Sequence, residues 1–210
     1  MTNVALTGLA RDLAQRAAER RPVRIGVVGC GEMGTDIVTQ VAQMRGIEVA
    51  AIVARRPQQA QELVAGLGGI PAELVAVEDL QAAVGQADIV SSATMARQPV
   101  ILGDWVRPGT HVDLIGAFKA DMREADDTLM ARAALFVDSR ETTLGHIGEL
   151  MIPIARGAIS EASVLGDLYD LVRPDARRRQ SDAEITVFKN GGGAHLDLMI
   201  AAWIARARAA

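Results

Sequence analysis

Cysteine and aromatic residues are scarce in this sequence. Cys30 is the one cysteine among 210 residues, and Phe, Trp and Tyr together make up 3%. A single cysteine excludes an internal disulfide and a cysteine-based metal site, which is typical of a reducing compartment, so we expect a cytoplasmic protein. Because aromatics are few, the core has to be built mainly from Ala, Val, Ile, Leu and Met, which suits parallel strands flanked by small-residue helices.

Positive charge and long apolar segments are also lacking. The formal net charge is -4 and the isoelectric point is near 5.4, so the sequence provides no basic field for a polyanion, apart from a short cluster at Arg177, Arg178 and Arg179. No segment reaches the roughly 18 to 20 apolar residues that a membrane-spanning helix needs. We therefore expect neither nucleic acid nor a membrane as a partner.

Motifs for metal binding and for hydrolysis are missing as well. His111, His146 and His195 are far apart in the sequence, and no HExxH spacing occurs, so we predict that the protein binds no metal. No GxSxG motif is present, which leaves hydrolase chemistry without an obvious nucleophile.

Short apolar runs alternate with helical segments along most of the chain. We predict strands at residues 23–28, 47–53, 74–77, 87–91, 111–115, 134–137 and 184–188. We predict helices at residues 4–19 and 33–44, after Pro57, over most of 152–172, and after Gly193. This alternation predicts an α/β fold with a doubly wound parallel sheet of the Rossmann type. Residues 1–21 would form an N-terminal helix, and residues 22–210 a dinucleotide-binding domain with a helical C-terminal tail.

A glycine-rich motif joins the first predicted strand to the helix that follows. It reads Gly29-Cys30-Gly31-Glu32-Met33-Gly34. In this setting Gly29 permits a tight turn, Gly31 lets a pyrophosphate approach the backbone, and Gly34 lets the helix pack close to the sheet. Glu32 and Met33 open that helix, whose free N–H groups favour a diphosphate. The alternative is a structural glycine turn that binds no ligand.

Two arginines follow the second predicted strand, where a site for NAD would carry an acidic residue. Arg55 and Arg56 would pair with the 2′-phosphate of NADP(H), whereas Asp or Glu would bond the ribose hydroxyl of NAD(H). The sequence therefore predicts that NADP(H) is preferred, with NAD(H) possible. The alternative is that both arginines are solvated loop charges.

From residue 87 onward the chain resembles the ornithine cyclodeaminase and mu-crystallin family, which includes cyclic ketimine and pyrroline-2-carboxylate reductases. The blocks that carry this resemblance are ADIVSSAT at 87–94, PGTHVDLIGAF at 108–118, MREAD at 122–126, FVDSRE at 136–141, GDL at 166–168 and EITVFKN at 184–190. Residues 1 to 53 look more like the start of a homoserine-dehydrogenase-like oxidoreductase.

The resemblance implies which loops lie beside the nicotinamide. It assigns cofactor contacts to Ala93, Thr94, the segment Gly116-Ala117-Phe118, and Asn190. The alternative for residues 189–193, the segment that contains Asn190, is a glycine-rich helix start. Ornithine cyclodeaminases have an aspartate where this chain has Phe118, which favours the reductase branch of the family.

Members of the family also carry a substrate and dimerisation domain before the Rossmann domain, which supplies arginine and lysine groups to the substrate. Here one short helix stands in that place, so the chain looks like a truncated or mosaic member. Lys119, Arg123 and Lys189 are weak candidates for the catalytic groups, and a homodimer would have to use exposed helical faces.

The leading hypothesis is an NADP(H)-dependent oxidoreductase that reduces the C=N bond of a small cyclic imino acid. One alternative is a non-catalytic NADP(H)-binding protein. Another is an amino-acid or hydroxy-acid dehydrogenase of the homoserine-dehydrogenase-like kind.

Overall fold

A single parallel sheet organises the part of the chain that the computed structural model describes, residues 8–68 and 74–209. In these ranges the sheet has seven strands in the order β2-β1-β3-β4-β7-β5-β6. The strands are β1 Val23–Val28, β2 Ile47–Val53, β3 Ile89–Ser92, β4 His111–Leu114, β5 Ala134–Val137, β6 Val164–Gly166 and β7 Thr186–Lys189. All paired strands are parallel, which confirms the predicted doubly wound α/β fold.

Helices precede, connect and follow these strands. They are α1 Gly8–Ala18, α2 Glu32–Val41, α3 Pro57–Gly66, α4 Leu80–Gln86, α5 Asp127–Arg132, α6 Arg140–Thr143, α7 Gly148–Ala155, α8 Leu168–Leu171 and α9 Ala194–Ala209. Several begin at an aspartate whose carboxylate accepts a backbone N–H of the first turn. Asp79 does this for α4 and Asp126 for α5, each with an N···O distance of 2.9 Å.

Two apolar clusters cover opposite faces of the sheet. One centres on Val90, Val112 and Leu135 and includes side chains of α4, α5 and α7. The other joins Val27 and Ile52 to α2 and α3. The strand register places Val27 and Val90 on opposite faces, since Val27 pairs with the residue after Val90. Helices on both faces leave the carboxyl edge of the strands as the open part of the sheet.

The predicted strands at 23–28, 47–53 and 134–137 have the predicted bounds, and those at 87–91, 111–115 and 184–188 shift by up to two residues. Residues 74–77 form no strand of their own. They contribute one bridge, Ile52 to Ala76, in which Ile52 N–H donates to the Val75 carbonyl at 2.9 Å. The predicted helix at 4–19 is observed from Gly8 to Ala18, and residues 1–7 lie outside the described ranges.

The prediction of a largely helical segment at 152–172 was wrong for most of the stretch between α7 and α8. The helix ends at Ala155, and Gly157 follows with φ +73°, a left-handed conformation that stops a helix. Val164 to Gly166 then forms an edge strand that pairs with β5. A three-residue apolar run fits a helix or a strand equally well in sequence, so the pairing partner decided its structure.

The chain order creates a gap between two diverging loops. From β1 the chain moves outward to β2, and then crosses to β3 on the other side of β1. The loops that follow β1 and β3 therefore leave the carboxyl edge in opposite directions, which is where open α/β sheets bind ligands.

Candidate functional site

The turn after β1 is closed at two of its glycines and open at the third. Gly29 has φ +107°, and a Cβ there would lie 2.6 Å from the Ala93 carbonyl oxygen. A Cβ on Gly34 would lie 2.0 Å from the Gly29 carbonyl oxygen, so the helix packs directly on the turn. A Cβ on Gly31 would meet nothing within 4 Å. The turn is thus tight at Gly29, the helix packs closely at Gly34, and Gly31 leaves open the space that the predicted pyrophosphate contact would need.

The start of α2 is free to receive an anion. Gly31 occupies the N-cap position, no side chain caps the helix, and Glu32 and Met33 are both exposed in its first turn. N–H groups at a helix start need partners, and a phosphate oxygen is a suitable one.

Arg55 and Arg56 lie immediately beyond β2, beside this turn. The Gly29 N–H donates to the Val53 carbonyl at 2.8 Å, which joins the end of β2 to the turn. Both arginines are exposed, and neither guanidinium group has an ion-pair or hydrogen-bond partner among the residues described. Two unpaired guanidinium groups therefore stand at the edge of the site.

The loops after β3 and β4 contact each other, and a buried carboxylate joins them. A Cβ on Gly116 would lie 1.7 Å from the Thr94 carbonyl oxygen. Glu124 Oε1 accepts from Thr94 N, Thr94 Oγ1 and Ser92 Oγ, each at 2.7 Å. Its Oε2 accepts from the N–H groups of Gly116 at 2.7 Å and Ala117 at 3.2 Å. In the sequence, Glu124 occurs within the family block at 122–126, and no local pattern indicates a role for it.

A second buried acid supports the first. Glu149, fully buried at the start of α7, accepts the backbone N–H of Glu124 at 2.8 Å and of Ala125 at 2.9 Å. Burial raises the pKa of Glu149 to about 7, although these two N–H groups oppose the shift. Burial also raises the pKa of Asp113 to about 6, against a hydrogen bond from Ser91 Oγ at 3.2 Å. Only distant contacts identify these residues, so no local sequence signal could have found them.

A cleft of about 230 Å³ lies where these segments meet. It is lined by Met33, Ile115, Phe118, Asn190, Gly191, Gly192, Gly193, Leu196 and Asp197. The cleft thus brings together Met33, Phe118 and Asn190, three residues from separate segments that the sequence analysis assigned to the cofactor. Asn190 is held in place because its N–H donates to the Leu114 carbonyl at 3.0 Å and its Oδ1 accepts the Gly192 N–H at 2.7 Å.

The three catalytic candidates are not brought together. Lys189 is 1% exposed, donates from Nζ to the Leu114 carbonyl at 2.8 Å, and has its pKa lowered by burial. Arg123 is 3% exposed; its Nε donates to the Ala125 carbonyl, and it pairs with Asp127 at 2.8 Å. Lys119 is exposed, with its ammonium 5.4 Å from the centre of the Phe118 ring. Of the three, Lys119 is the one whose charge faces outward beside the cleft.

The remaining candidates for chemistry or binding are the Cys30 thiol, a metal site and a membrane-spanning helix. Burial raises the pKa of the Cys30 thiol, which favours its uncharged form. No three His, Cys, Asp or Glu side chains gather as a metal site within residues 8–68 and 74–209. Over the same described ranges, no helix is both long enough and apolar enough to cross a membrane.

Comparison with known proteins identifies relatives along almost the whole chain. The model of the ornithine cyclodeaminase/mu-crystallin family matches residues 5–209. A Delta(1)-pyrroline-2-carboxylate reductase of Paracoccus denitrificans is 77% identical over 184 residues, which are 87% of this chain and 58% of that protein. The family match includes residues 5–53, and the suggested homoserine-dehydrogenase-like resemblance there is not confirmed.

Solved structures share the fold. The Delta(1)-pyrroline-2-carboxylate reductase of Thermococcus litoralis, in complex with NADH and L-proline, is 31% identical with a TM-score of 0.76, over 87% of this chain and 57% of that one. An archaeal alanine dehydrogenase dimer with bound NAD is 25% identical with a TM-score of 0.77, over 90% of this chain and 58% of that one. The chain thus spans a little over half the length of these relatives.

The open position in the glycine turn yields a first prediction. Gly31→Val should abolish binding of a dinucleotide while leaving the fold intact, because the new side chain fills ligand space and its Cβ meets no protein atom within 4 Å. Gly34→Ala is the matched contrast, since its Cβ would overlap the Gly29 carbonyl oxygen and should destabilise the protein. Circular dichroism and fluorescence titration with NADPH test both. Normal binding by Gly31→Val would place the cofactor elsewhere.

The buried acid Glu149 yields a prediction about pH. Its pKa rises from 4.5 to about 7 on folding, so the folded state binds the extra proton. The stability this gives is complete below pH 4.5 and is lost as the pH rises through 7. The free energy of unfolding of the wild type relative to Glu149→Gln should therefore fall by about 3 kcal/mol across that range.

Urea unfolding at several pH values measures this difference. His111 changes stability in the opposite direction, because burial lowers its pKa from 6.5 to about 4, but that contribution is common to both proteins and cancels. Glu161→Gln, which removes a carboxylate at an exposed site, is the control and is measured at the same pH values. A constant difference for Glu149→Gln would show that its pKa is unshifted.

Proposed function

The chain belongs to the ornithine cyclodeaminase/mu-crystallin family, and we propose that it binds a nicotinamide dinucleotide and reduces the C=N bond of a small cyclic imino acid. The observation that carries the proposal is the meeting, at one sheet edge, of an open glycine turn and the joined loops after β3 and β4. The 77% identity to a Delta(1)-pyrroline-2-carboxylate reductase supports the choice of reaction and of substrate class.

The residues present suit such a cofactor. The space at Gly31 accepts a diphosphate against the backbone, and the uncapped start of α2 supplies N–H groups to it. The nicotinamide end would lie toward Thr94, the segment 116–118 and Asn190, at the cleft. When bound, the reduced nicotinamide supplies the hydride, and the protein's part is to bind, orient and exclude water.

We propose NADP(H) as the preferred cofactor because of the exposed, unpaired Arg55 and Arg56. A 2′-phosphate would gain charge-assisted hydrogen bonds there, and no carboxylate occupies those positions to repel it. The solved relative from Thermococcus litoralis holds NADH, so this preference rests on residues 55 and 56 alone.

The proposed substrate side of the site combines the Phe118 ring, the Asp197 carboxylate that also lines the cleft, and Lys119 beside the ring. Phe118 is 52% exposed at the cleft. It stands where ornithine cyclodeaminases have an aspartate, which suits reduction rather than cyclodeamination. Lys119, beside it, is the group we propose to attract the substrate carboxylate. Arg123 and Lys189 are themselves buried, Arg123 paired with Asp127 and Lys189 with the Leu114 carbonyl, and they would act only through the structure around them.

We further propose the predicted division into an N-terminal helix at 1–21 and a dinucleotide-binding domain at 22–210, in a cytoplasmic protein. A homodimer is also proposed, because α9 exposes Leu198, Ile200 and Trp203 and because the archaeal alanine dehydrogenase relative is a dimer.

The cofactor preference is tested by reversing one charge. NADPH should bind the wild type about tenfold more tightly than NADH, a difference of about 1.4 kcal/mol, and Arg55→Asp should reverse the order. Arg45→Asp makes the same charge change at an exposed position before β2, at the opposite edge of the sheet, and should leave the ratio unchanged. Fluorescence titration measures all three proteins; equal affinities in the wild type would disprove the preference.

Turnover tests the reaction itself and separates the alternatives. With saturating NADPH, the chain should reduce Δ1-pyrroline-2-carboxylate to proline, and a specificity constant above about 10⁴ M⁻¹s⁻¹ would be ordinary for an enzyme. Binding of NADPH without turnover would indicate a non-catalytic binding protein. Oxidation of amino acids or hydroxy acids with NADP⁺, in preference to imine reduction with NADPH, would indicate the amino-acid or hydroxy-acid dehydrogenase.

A further inference from the structure

We propose that Glu124 is a positioning residue, which fixes the nicotinamide end of the cofactor site by holding the loops after β3 and β4 against each other. The inference rests on the proposed function and adds a residue to it that touches neither cofactor nor substrate. Its basis is the set of five hydrogen bonds that converge on this one carboxylate.

The two carboxylate oxygens are divided between the two loops. Oε1 takes the donors of Thr94 and Ser92 from the β3 side, and Oε2 takes the N–H groups of Gly116 and Ala117 from the β4 side. Every partner is a donor, so the side chain must accept on both oxygens. A carboxylate does this, whereas an amide of the same shape accepts on one side only.

The backbone of Glu124 is held by a second buried acid, Glu149. Its backbone N–H donates to the Glu149 carboxylate, and Glu149 is 0% exposed at the start of α7. The same helix start is packed so closely that a Cβ on Gly148 would lie 2.4 Å from the Ala120 carbonyl oxygen and 2.5 Å from that of Met122. The carboxylate is therefore fixed relative to the sheet, and the two loops are fixed relative to the carboxylate.

These loops face the part of the site that receives the nicotinamide. Ala93 and Thr94 lie against Gly29, where a Cβ would come within 2.6 Å of the Ala93 carbonyl oxygen and 3.2 Å of Thr94 Cγ2. Phe118 directly follows Ala117, whose N–H donates to Glu124, and it lines the cleft. The adenine and diphosphate half of the cofactor would lie on Gly31, α2 and the two arginines, none of which contacts Glu124.

Because the two halves of the cofactor would contact different residues, a ligand without the nicotinamide half can be used to measure the positioning role of Glu124. In Glu124→Gln the new NH₂ group must face either the donors near Thr94 or those of Gly116 and Ala117, so one loop is released. The variant should bind 2′-phospho-ADP-ribose within about threefold of the wild type. Bound NADPH should lose the fluorescence enhancement and anisotropy of a held nicotinamide ring. If NADH proves to be the preferred cofactor, NADH and ADP-ribose take the place of this pair.

Glu161→Gln is the matched control, at an exposed glutamate, and should behave as the wild type with both ligands. Glu124→Asp keeps the charge but is one carbon shorter and should show the same loss as Glu124→Gln. Wild-type nicotinamide emission in both variants, or equal loss of both ligands from folded variants, would overturn the positioning role.

Amide hydrogen exchange on the wild-type chain tests the proposal without relying on variants that fold. NADPH should slow exchange at Thr94, Gly116 and Ala117 beyond the slowing caused by 2′-phospho-ADP-ribose. Identical protection by the two ligands would contradict the inference. Binding of neither ligand by the wild type would instead show that the proposed function is wrong, and the positioning role with it.

Discussion

The shape of the site depends on the hydrogen bonds that one buried carboxylate, that of Glu124, must accept. Glu124 lies at the carboxyl edge of the sheet with no exposed surface, where an unpaired charge would strongly destabilise the fold. Its partners can reach it only if the loops after β3 and β4 approach closely, and at Gly116 the approach leaves no room for a side chain. The two loops thus lie close together because both donate hydrogen bonds to the same buried acid.

The interior near this edge is unusually charged. Lys189 is buried and attracted by Asp113, Glu124, Asp138 and Glu149, while burial lowers its pKa and raises that of two of these acids. This arrangement explains why Lys189 is a poor candidate for contact with substrate: its ammonium is committed to neighbouring acids and to a backbone carbonyl. Buried ionic groups of this kind specify a geometry more than they add stability.

Local patterns predicted most of the fold because strand alternation with helices leaves few topologies open. They failed where two structures were equally compatible with a short apolar run. Val164 to Gly166 became a strand because β5 offers it a partner, and residues 74–77 reduced to a bridge beside Ile52. Local patterns also could not show that Arg123 lies inside the protein, where Asp127 and the Ala125 carbonyl hold it.

The sequence by itself determined the glycine turn, with its open Gly31, and the two arginines beyond β2, because these depend on residue types at fixed spacing beside one strand. It also identified the family. Tertiary structure alone decided the role of Glu124, because its partners come from three separate segments that only the strand order brings together. A carboxylate's function depends on what surrounds it, and for a buried one the surroundings are distant in the chain.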